Sequence, residues 1–220
     1  MFYSYGEQEL AYLTKKDKRL GHAIEQIGRI ERVVDDDLFS AVVHHIVGQQ
    51  VSTAAQATIW GRLQAAAETV CADTMLALGR ERLQGIGITY RKADYILDFA
   101  GKVQRGELDL DGLWQKSDED VIRELTQLRG IGVWTAEMIL TFCMQRPDVV
   151  SFGDLAILRG MRMLYRHREI DRARFARYQR RYSPYGTVAS LYLWAIAGGA
   201  IPELTDPAAR QKRSRQNELP

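Results

Sequence analysis

The chain has 220 residues, of which 46% are hydrophobic and 26% are charged, with a net charge of +2. This composition is enough for a sizeable core, built as one large domain or as two interlocked lobes. The sequence has no apolar run of about 18 residues and no basic segment followed by an apolar one at its start, so we expect neither a membrane span nor a secretory signal. Two cysteines, Cys71 and Cys143, argue against a disulfide framework and favour a reducing, cytoplasmic setting.

The small net charge hides an uneven distribution. Residues 151–220 hold 13 Lys and Arg against 6 Asp and Glu, whereas residues 1–150 hold 17 against 22. A basic C-terminal third fits a polyanionic partner. A solvated helix face followed by a basic tail explains the same charges, so charge alone does not decide between the two interpretations.

Helical patterns follow one another along the chain, and alternating strand patterns are scarce. Apolar periodicity and strong helix formers predict helices over residues 38–47, 53–67, 91–103, 133–144, 154–165 and 171–181. Ser117 followed by Asp120 resembles a capping box and predicts a further helix that continues to Leu128. The pattern therefore indicates an all-α protein.

The last predicted helix has the clearest start signal. Ser183 suits an N-cap and Pro184 suits the first helical position, which predicts a helix from there to about Ile196. Gly198 and the glycine after it predict its end. Beyond it, residues 206–220 are polar and basic and are expected to be disordered.

Two glycines between predicted helices give the strongest local signal. Gly130 and Gly132 lie within the stretch from Leu128 to Ala136, and glycine permits the tight turn and close approach that a hairpin needs. The helix that follows begins with unpaired backbone N–H groups and the positive end of its dipole, which suits a phosphate. Such a contact reads the DNA backbone and not its sequence. An ordinary helix–helix turn also explains a bare pair of glycines.

This hairpin resembles that of the helix-hairpin-helix DNA glycosylase superfamily, and three other segments agree with it. Residues 46–52 are similar to the family's turn with two glutamines, residues 151–154 to its loop with an essential aspartate, and residues 182–194 to its C-terminal helix. Asp154 lies 20 positions after Trp134, the spacing of the family. The most similar branch is the alkylation-repair type, 3-methyladenine DNA glycosylase II.

The resemblance implies a two-lobed helix-hairpin-helix fold. Residues 1–37 and 147–205 would form the terminal lobe, and residues 38–146 the central lobe that ends in the hairpin. Because about 37 residues precede the first matched helix, the β-rich N-terminal domain of the long bacterial form is expected to be absent. The implied protein is a monomer that binds duplex DNA containing a damaged base.

The resemblance makes Asp154 the catalytic residue. Cleavage of the glycosidic bond builds positive charge on the sugar, which a fixed carboxylate stabilises, and the same group can position or deprotonate the attacking water. An aspartate here also suits the N-cap of the following helix. Gly153 stands where some alkylation-type relatives have a first acid, so any function of that acid is lost or moved.

A damaged base must leave the duplex before it can be excised, and Gln50 matches the position of the side chain that fills the gap. An aromatic pocket would favour cationic alkylated purines by roughly 0.5–2 kcal/mol, although aromatic residues at helical spacing also build cores. The residues expected to contact DNA are Gln49, Gln50, Ser52, Gly130, Gly132, Val133 and Thr135. The expected base-pocket residues are Trp134, Trp194, Phe152 and Tyr185.

Other features of the family bear on cofactors and strand cleavage. Strand-cleaving members place a lysine two residues after the second hairpin glycine as a Schiff-base nucleophile; here Trp134 occupies that position, so no lyase activity is expected. Two cysteines cannot supply the four ligands of an iron–sulfur cluster, and no cofactor is expected to be required. A structural Na⁺ or K⁺ in the hairpin would be held by the backbone carbonyls of Thr126, Leu128 and Ile131.

The sequence therefore predicts a monofunctional DNA glycosylase that releases alkylated purines such as 3-methyladenine. A glycosylase for an oxidised or deaminated base is an alternative, and a non-catalytic DNA-binding module is another. Asp154 argues against the binding module, because a pure binder has no need of it. His44 and His45 lie on an apolar helix, where packing explains them better than a role in the base pocket.

Overall fold

The computed structural model describes residues 1–208, which form twelve helices and one isolated bridge between Phe2 and Val33. This confirms the predicted all-α class. None of the helices in this range has the length and apolar character needed to span a bilayer. The helices are α1 (Glu7–Lys16), α2 (Lys18–Ile27), α3 (Leu38–Gly48), α4 (Thr53–Ala67), α5 (Ala72–Ile86), α6 (Tyr90–Gln104), α7 (Leu110–Leu113), α8 (Asp118–Leu125), α9 (Val133–Phe142), α10 (Leu155–Tyr165), α11 (Arg172–Tyr182) and α12 (Gly186–Ala197).

The chain divides into two compact units. The first, called the hairpin unit, consists of Met1 and residues 34–144 and contains α3 to α9. The second, called the aspartate unit, consists of residues 2–33 together with the described residues from 145 onward, and contains α1, α2 and α10 to α12. Most of the tail predicted to be disordered, from residue 209 to its end, lies outside the described residues.

The hairpin unit has a core of large apolar side chains. The rings of Phe39 on α3 and Phe99 on α6 stack with centroids 4.7 Å apart, and stacked rings add to the stability gained from burial. The remaining fully buried side chains of this core include Ile46, Leu63, Met75, Leu83, Ile96, Leu113 and Leu125.

The aspartate unit buries a polar network beside its apolar core. Asp17 is 4% exposed and caps α2, and its Oδ2 accepts hydrogen bonds from the hydroxyl of Tyr165 and from Arg181. Tyr165 also lies 2.8 Å from the hydroxyl of Tyr182. A buried carboxylate is tolerated when it is paired and hydrogen-bonded in this way.

Four helices were not predicted from the sequence: α1, α2, α5 and α7. The first two are short, and α5 is interrupted at Gly79, whose φ is +67°. Ser117 does cap α8, because its Oγ accepts a hydrogen bond from the N–H of Asp120. The helix ends at Leu125, earlier than the predicted Leu128.

The predicted start of the last helix was wrong. Ser183 is the C-cap of α11, and α12 begins at Gly186 with Tyr185 as its N-cap. The carboxylate of Asp148 supplies the polar contacts instead, because its Oδ1 accepts from the N–H of Gly186 at 3.0 Å and its Oδ2 accepts from Ser183 Oγ. An acid from a distant part of the sequence thus replaces the local cap.

Candidate nucleic-acid interface and catalytic loop

Two glycines connect α8 to α9, and at the first of them, Gly130, a larger residue would disrupt the turn. Gly130 has a φ of +85°, a value that side chains rarely tolerate. A Cβ atom on Gly130 would also lie 2.4 Å from the ring of Tyr95. Arg129 places its guanidinium 5.4 Å from the centre of the same ring, so a cation stands beside the turn.

The start of α9 is exposed. Gly132 is its N-cap and contributes no side-chain cap, and the first helical hydrogen bond runs from Ala136 N–H to the carbonyl of Gly132. Val133 is 55% exposed and Trp134 is 45% exposed, so the first turn of this apolar helix is not buried. Its first turn instead presents a helix N-terminus to solvent, as an anion site requires.

Thr135, predicted to contact DNA, is only 7% exposed and lies on the buried side of α9.

The predicted cation ligands lie just before α9, in the hairpin. The carbonyl of Leu128 accepts a hydrogen bond from Ile131 N–H at 3.2 Å, while in the described residues the carbonyls of Thr126 and Ile131 accept no backbone hydrogen bond. Carbonyl oxygens are the type of ligand that Na⁺ and K⁺ take.

The turn with two glutamines lies in the same unit and contacts the hairpin directly. Gln49 is the C-cap of α3, and its Nε2 donates a 2.6 Å hydrogen bond to the carbonyl of Gly130. Gln50 is exposed with a φ of +56°. Ser52 then caps α4 by accepting from Ala55 N–H. The structure therefore brings Gln49 and Gly130 together and leaves Gln50 projecting from the surface.

The two histidines of α3 pack within the hairpin unit. The ring of His44 lies 4.6 Å from that of Trp60, and Gln56 donates to the backbone carbonyl of His44. Burial lowers the pKa of His44. Burial, and secondarily the neighbouring His44, lowers the pKa of His45 to about 4. Burial therefore favours the neutral form of both rings.

Asp154 lies at the N-terminus of α10 and is 7% exposed. Its Oδ1 accepts hydrogen bonds from the N–H groups of Ala156 at 2.8 Å and Ile157 at 2.9 Å. The aspartate is thus an N-cap, as its position suggested, and the cap holds the carboxylate in a fixed orientation. A capping role and a catalytic role are compatible in one carboxylate.

The segment that leads to Asp154 is held along α12 by buried hydroxyls. Thr187 Oγ1 donates to the carbonyl of Arg146 at 2.6 Å and accepts from Val149 N–H at 3.0 Å. Ser190 Oγ donates to the carbonyl of Val149 at 2.9 Å. Both serine and threonine are almost fully buried, so these bonds are shielded from water and fix the start of the segment that leads to Asp154.

The aromatic side chains proposed for the base pocket occupy different surroundings. Phe152 packs edge-on against Phe175 of α11, with ring centroids 5.1 Å apart, and the guanidinium of Arg172 lies over the Phe152 ring, 4.4 Å from its centre. Trp194 is half-buried near the end of α12, in the aspartate unit, whereas Trp134 belongs to the hairpin unit.

Two tyrosines near Trp194 in sequence hold the aspartate unit together. The ring of Tyr185 packs edge-on against Tyr12 at 5.1 Å, and its hydroxyl accepts from Gln8 of α1. Tyr192 is fully buried and donates to the carbonyl of Gly28. Burial raises the pKa of Tyr192, which fits a core position.

A family profile and a solved structure that match this chain both belong to DNA repair proteins. A sequence profile described as "HhH-GPD superfamily base excision DNA repair protein" matches residues 43–182. A solved structure from Bacillus halodurans, a DNA-3-methyladenine glycosidase, is 33% identical with a TM-score of 0.81, and the match covers 92% of this chain and 95% of that one.

Curated relatives differ in how much of their length is matched. DNA-3-methyladenine glycosylase 1 of Schizosaccharomyces pombe is 25% identical over 94% of this chain and 96% of its own. Two Bacillus subtilis relatives, 30% and 26% identical over 56% and 52% of this chain, are matched over only 43% and 38% of their lengths. This chain thus spans less than half of those two proteins.

Proposed function

Because the chain belongs to the HhH-GPD superfamily of base excision DNA repair proteins, we propose that it is a monofunctional DNA glycosylase that hydrolyses the N-glycosyl bond of alkylated purines in duplex DNA. The observation that carries the proposal is the buried, rigidly held carboxylate of Asp154. The names of the full-length relatives from Schizosaccharomyces pombe and Bacillus halodurans support the choice of 3-methyladenine as a substrate.

The hairpin is proposed to hold the DNA backbone. The exposed first turn of α9 offers backbone N–H groups from Val133 and Trp134 and the positive end of the helix dipole to one phosphate. Arg129 adds a nearby positive charge. A Na⁺ or K⁺ held by the carbonyls of Thr126, Leu128 and Ile131 would supply a further positive charge for a phosphate.

Gln50 is proposed to fill the gap that a flipped base leaves in the duplex. Its exposed position and left-handed backbone make it the projecting residue of its turn, and its amide can hydrogen-bond the base that has lost its partner. Gln49 keeps its side chain on the hairpin. Trp134, which is 45% exposed at the start of α9, is a proposed stacking partner of the extruded base, because an electron-rich ring favours a cationic alkylated purine.

Asp154 is proposed to stabilise the positive charge that develops on the sugar as the base departs. It can also orient the water that attacks the sugar and accept its proton. The released base carries the bonding electrons, and water supplies the hydroxyl that replaces it. Trp134 occupies the position of the lyase lysine, so no Schiff base forms and the strand stays intact.

Base release from defined DNA tests this proposal. The protein is incubated with duplexes containing 3-methyladenine, 7-methylguanine, hypoxanthine, uracil or 8-oxoguanine, and free base is measured together with strand breaks before and after alkali. We expect release of the methylated purines and breaks only after alkali. Release confined to uracil, hypoxanthine or 8-oxoguanine would overturn the substrate class, and breaks without alkali would overturn the monofunctional mechanism.

DNA affinity and mass provide two further checks. Binding through phosphates weakens linearly on a plot of log affinity against log salt, so affinity that is insensitive to salt would contradict the role of the hairpin. We propose that the protein acts as a monomer. Sedimentation should then give the chain mass of 25.1 kDa, and a dimer mass would reject that part of the proposal.

A further inference from the structure

Lys92 is a buried charged residue that the proposed mechanism does not use. It lies in the first turn of α6 and is 7% exposed. Its Nζ donates a 2.8 Å hydrogen bond to the carbonyl of Val47. Burial lowers the pKa of Lys92, and Arg91 beside it lowers the pKa further. Burying an ammonium group is costly unless it is paired or hydrogen-bonded. The hydrogen bond to Val47 therefore offsets the cost of burying Lys92.

The accepting carbonyl lies at the end of α3, immediately before the turn with two glutamines. The last carbonyls of a helix lack intrahelical partners and carry the negative end of the dipole. Gln49 N–H satisfies the carbonyl of Ile46 at 3.3 Å, and Lys92 satisfies that of Val47. A lysine from another helix therefore donates a capping hydrogen bond to the C-terminal end of α3, whose C-cap residue is Gln49.

Several contacts hold the turn that departs from this capped end. Gln56 of α4 lies across Gly48, where a Cβ atom would stand 2.4 Å from its Nε2. Gln49 is tied to the hairpin through Gly130. Gln50, by contrast, is exposed and has a φ of +56°, a conformation that a non-glycine residue keeps only when its surroundings impose it. Fixing the end of α3 is one way to impose it.

We propose that Lys92 is a positioning residue for the Gln49–Gln50 turn: by capping α3 at Val47, it fixes the direction in which Gln50 projects toward DNA. The inference rests on the proposed function, in which Gln50 fills the gap left by a flipped base. It assigns Lys92 no contact with DNA, substrate or water. The effect of Lys92 therefore passes through the turn and depends on Gln50.

A fluorescent base tests this role without requiring base release. The duplex carries a stable abasic-site analogue opposite 2-aminopurine, whose fluorescence rises when its stacking is disturbed. The variant Lys92→Met keeps the length and apolar stem of the side chain but removes the donor. We expect its fluorescence enhancement to fall at least threefold at saturating protein, while the Kd for undamaged duplex changes by less than twofold.

Two comparisons separate positioning from general loss of stability. Met75→Val removes volume from the core of the same unit, where Met75 is fully buried, and should leave the fluorescence enhancement within 1.5-fold of wild type. In the background of Gln50→Ala, Lys92→Met should change the enhancement by less than 1.5-fold, because coupled residues do not act additively. If Lys92→Met does not fold, Lys92→Gln replaces it with the same expectations, since the shorter amide cannot span the same distance.

Failure of the proposal on Lys92 and failure of the proposed function give different results. An enhancement in Lys92→Met equal to that of wild type would overturn the proposal, as would an equal loss in Met75→Val, an additive loss in the double variant, or no enhancement by the wild-type protein. Failure of the wild type to release any methylated base would reject the proposed function separately, because the fluorescence readout involves no chemistry on the DNA.

Discussion

Gly160 of α10 lies against the backbone of Leu193 of α12, so closely that a Cβ atom on Gly160 would stand 2.2 Å from the carbonyl oxygen of Leu193. A backbone carbonyl cannot move aside as the end of a flexible side chain can. Asp154 caps α10, and Trp194 follows Leu193 on α12. The absence of a side chain at Gly160 therefore sets the packing of the two helices that carry these proposed site residues.

Gly160→Ala should lower the free energy of unfolding by about 1–3 kcal/mol, the usual cost of overpacking a well-filled interior. Chemical denaturation of both variants and the wild type measures it. Gly61→Ala is the matched control: Gly61 lies within α4 and has no atom within 4 Å of its added Cβ. That change should raise stability by up to about 1 kcal/mol. Equal effects of the two substitutions would contradict the packing argument.

Thr187→Val should destabilise the protein and slow base release. Valine has the shape of threonine but leaves the buried N–H of Val149 without its acceptor, at a cost of about 1–3 kcal/mol. Thr141→Val is the control, because the hydroxyl of buried Thr141 donates to the carbonyl of Glu137 in its own helix and, among the described residues, supplies no acceptor to a backbone N–H. The account predicts a clearly larger loss of stability for Thr187→Val, and the reverse order would count against it.

Gln49→Ala should weaken binding to undamaged duplex by roughly twofold to tenfold, because the loosened hairpin must then be ordered when it binds a phosphate, at a cost no larger than that of the lost intramolecular hydrogen bond, about 0.5–1.5 kcal/mol. The substitution frees the turn from Gly130, to which Gln49 is bound at 2.6 Å. Gln127→Ala serves as the control, since the amide of Gln127 donates a local hydrogen bond to the carbonyl of Arg123, four residues earlier. Fluorescence anisotropy at fixed salt measures both. An affinity for Gln49→Ala equal to that of Gln127→Ala would show that the hydrogen bond between Gln49 and Gly130 does not matter for DNA binding.

Much of the fold could be predicted from the sequence where local signals are strong. Ser117 occupies the cap that its chemistry indicates, and the patterns of α3 and α4 predicted nearly the observed bounds. The start of α12 could not be predicted, because its cap comes from Asp148, 38 residues before Gly186. A competing local pattern, Ser183 followed by proline, led the prediction to the wrong residue.

In the candidate site, too, residues within local motifs could be predicted from the sequence, whereas residues that act through long-range contacts could not. The positions of Gly130, Gln50 and Asp154 follow from motifs and their spacing. Lys92 and Tyr95 do not, since in sequence they look like ordinary residues of an amphipathic helix, and their roles arise from contacts with Val47 and Gly130. Such contacts join residues more than 30 positions apart, and no local pattern encodes them.

His45 should make the stability of the protein depend on pH. Its pKa falls from 6.5 to about 4 on folding, mainly through burial, so the unfolded chain binds the proton more tightly. The stability is fully present above pH 6.5 and is lost as pH falls toward 4, by at most about 3 kcal/mol. Denaturation midpoints across this range should change less in His45→Leu than in wild type.

The control for this pH dependence is His22→Gln. The side chain of His22 is 80% exposed and lies 3.5 Å from Glu25, so the substitution should leave the slope between pH 4 and 6.5 close to that of wild type. An unchanged slope in His45→Leu would show that His45 is not the group responsible.

The most direct measurement is the single-turnover rate of base release by Asp154→Asn on duplex containing a methylated purine. Asparagine caps helices about as well as aspartate, so the melting temperature and the affinity for DNA should stay close to those of wild type. The charge that stabilises the sugar is lost, and the account predicts a rate lower by about 100-fold or more. Release at the wild-type rate would contradict it and leave Asp154 as a helix cap alone.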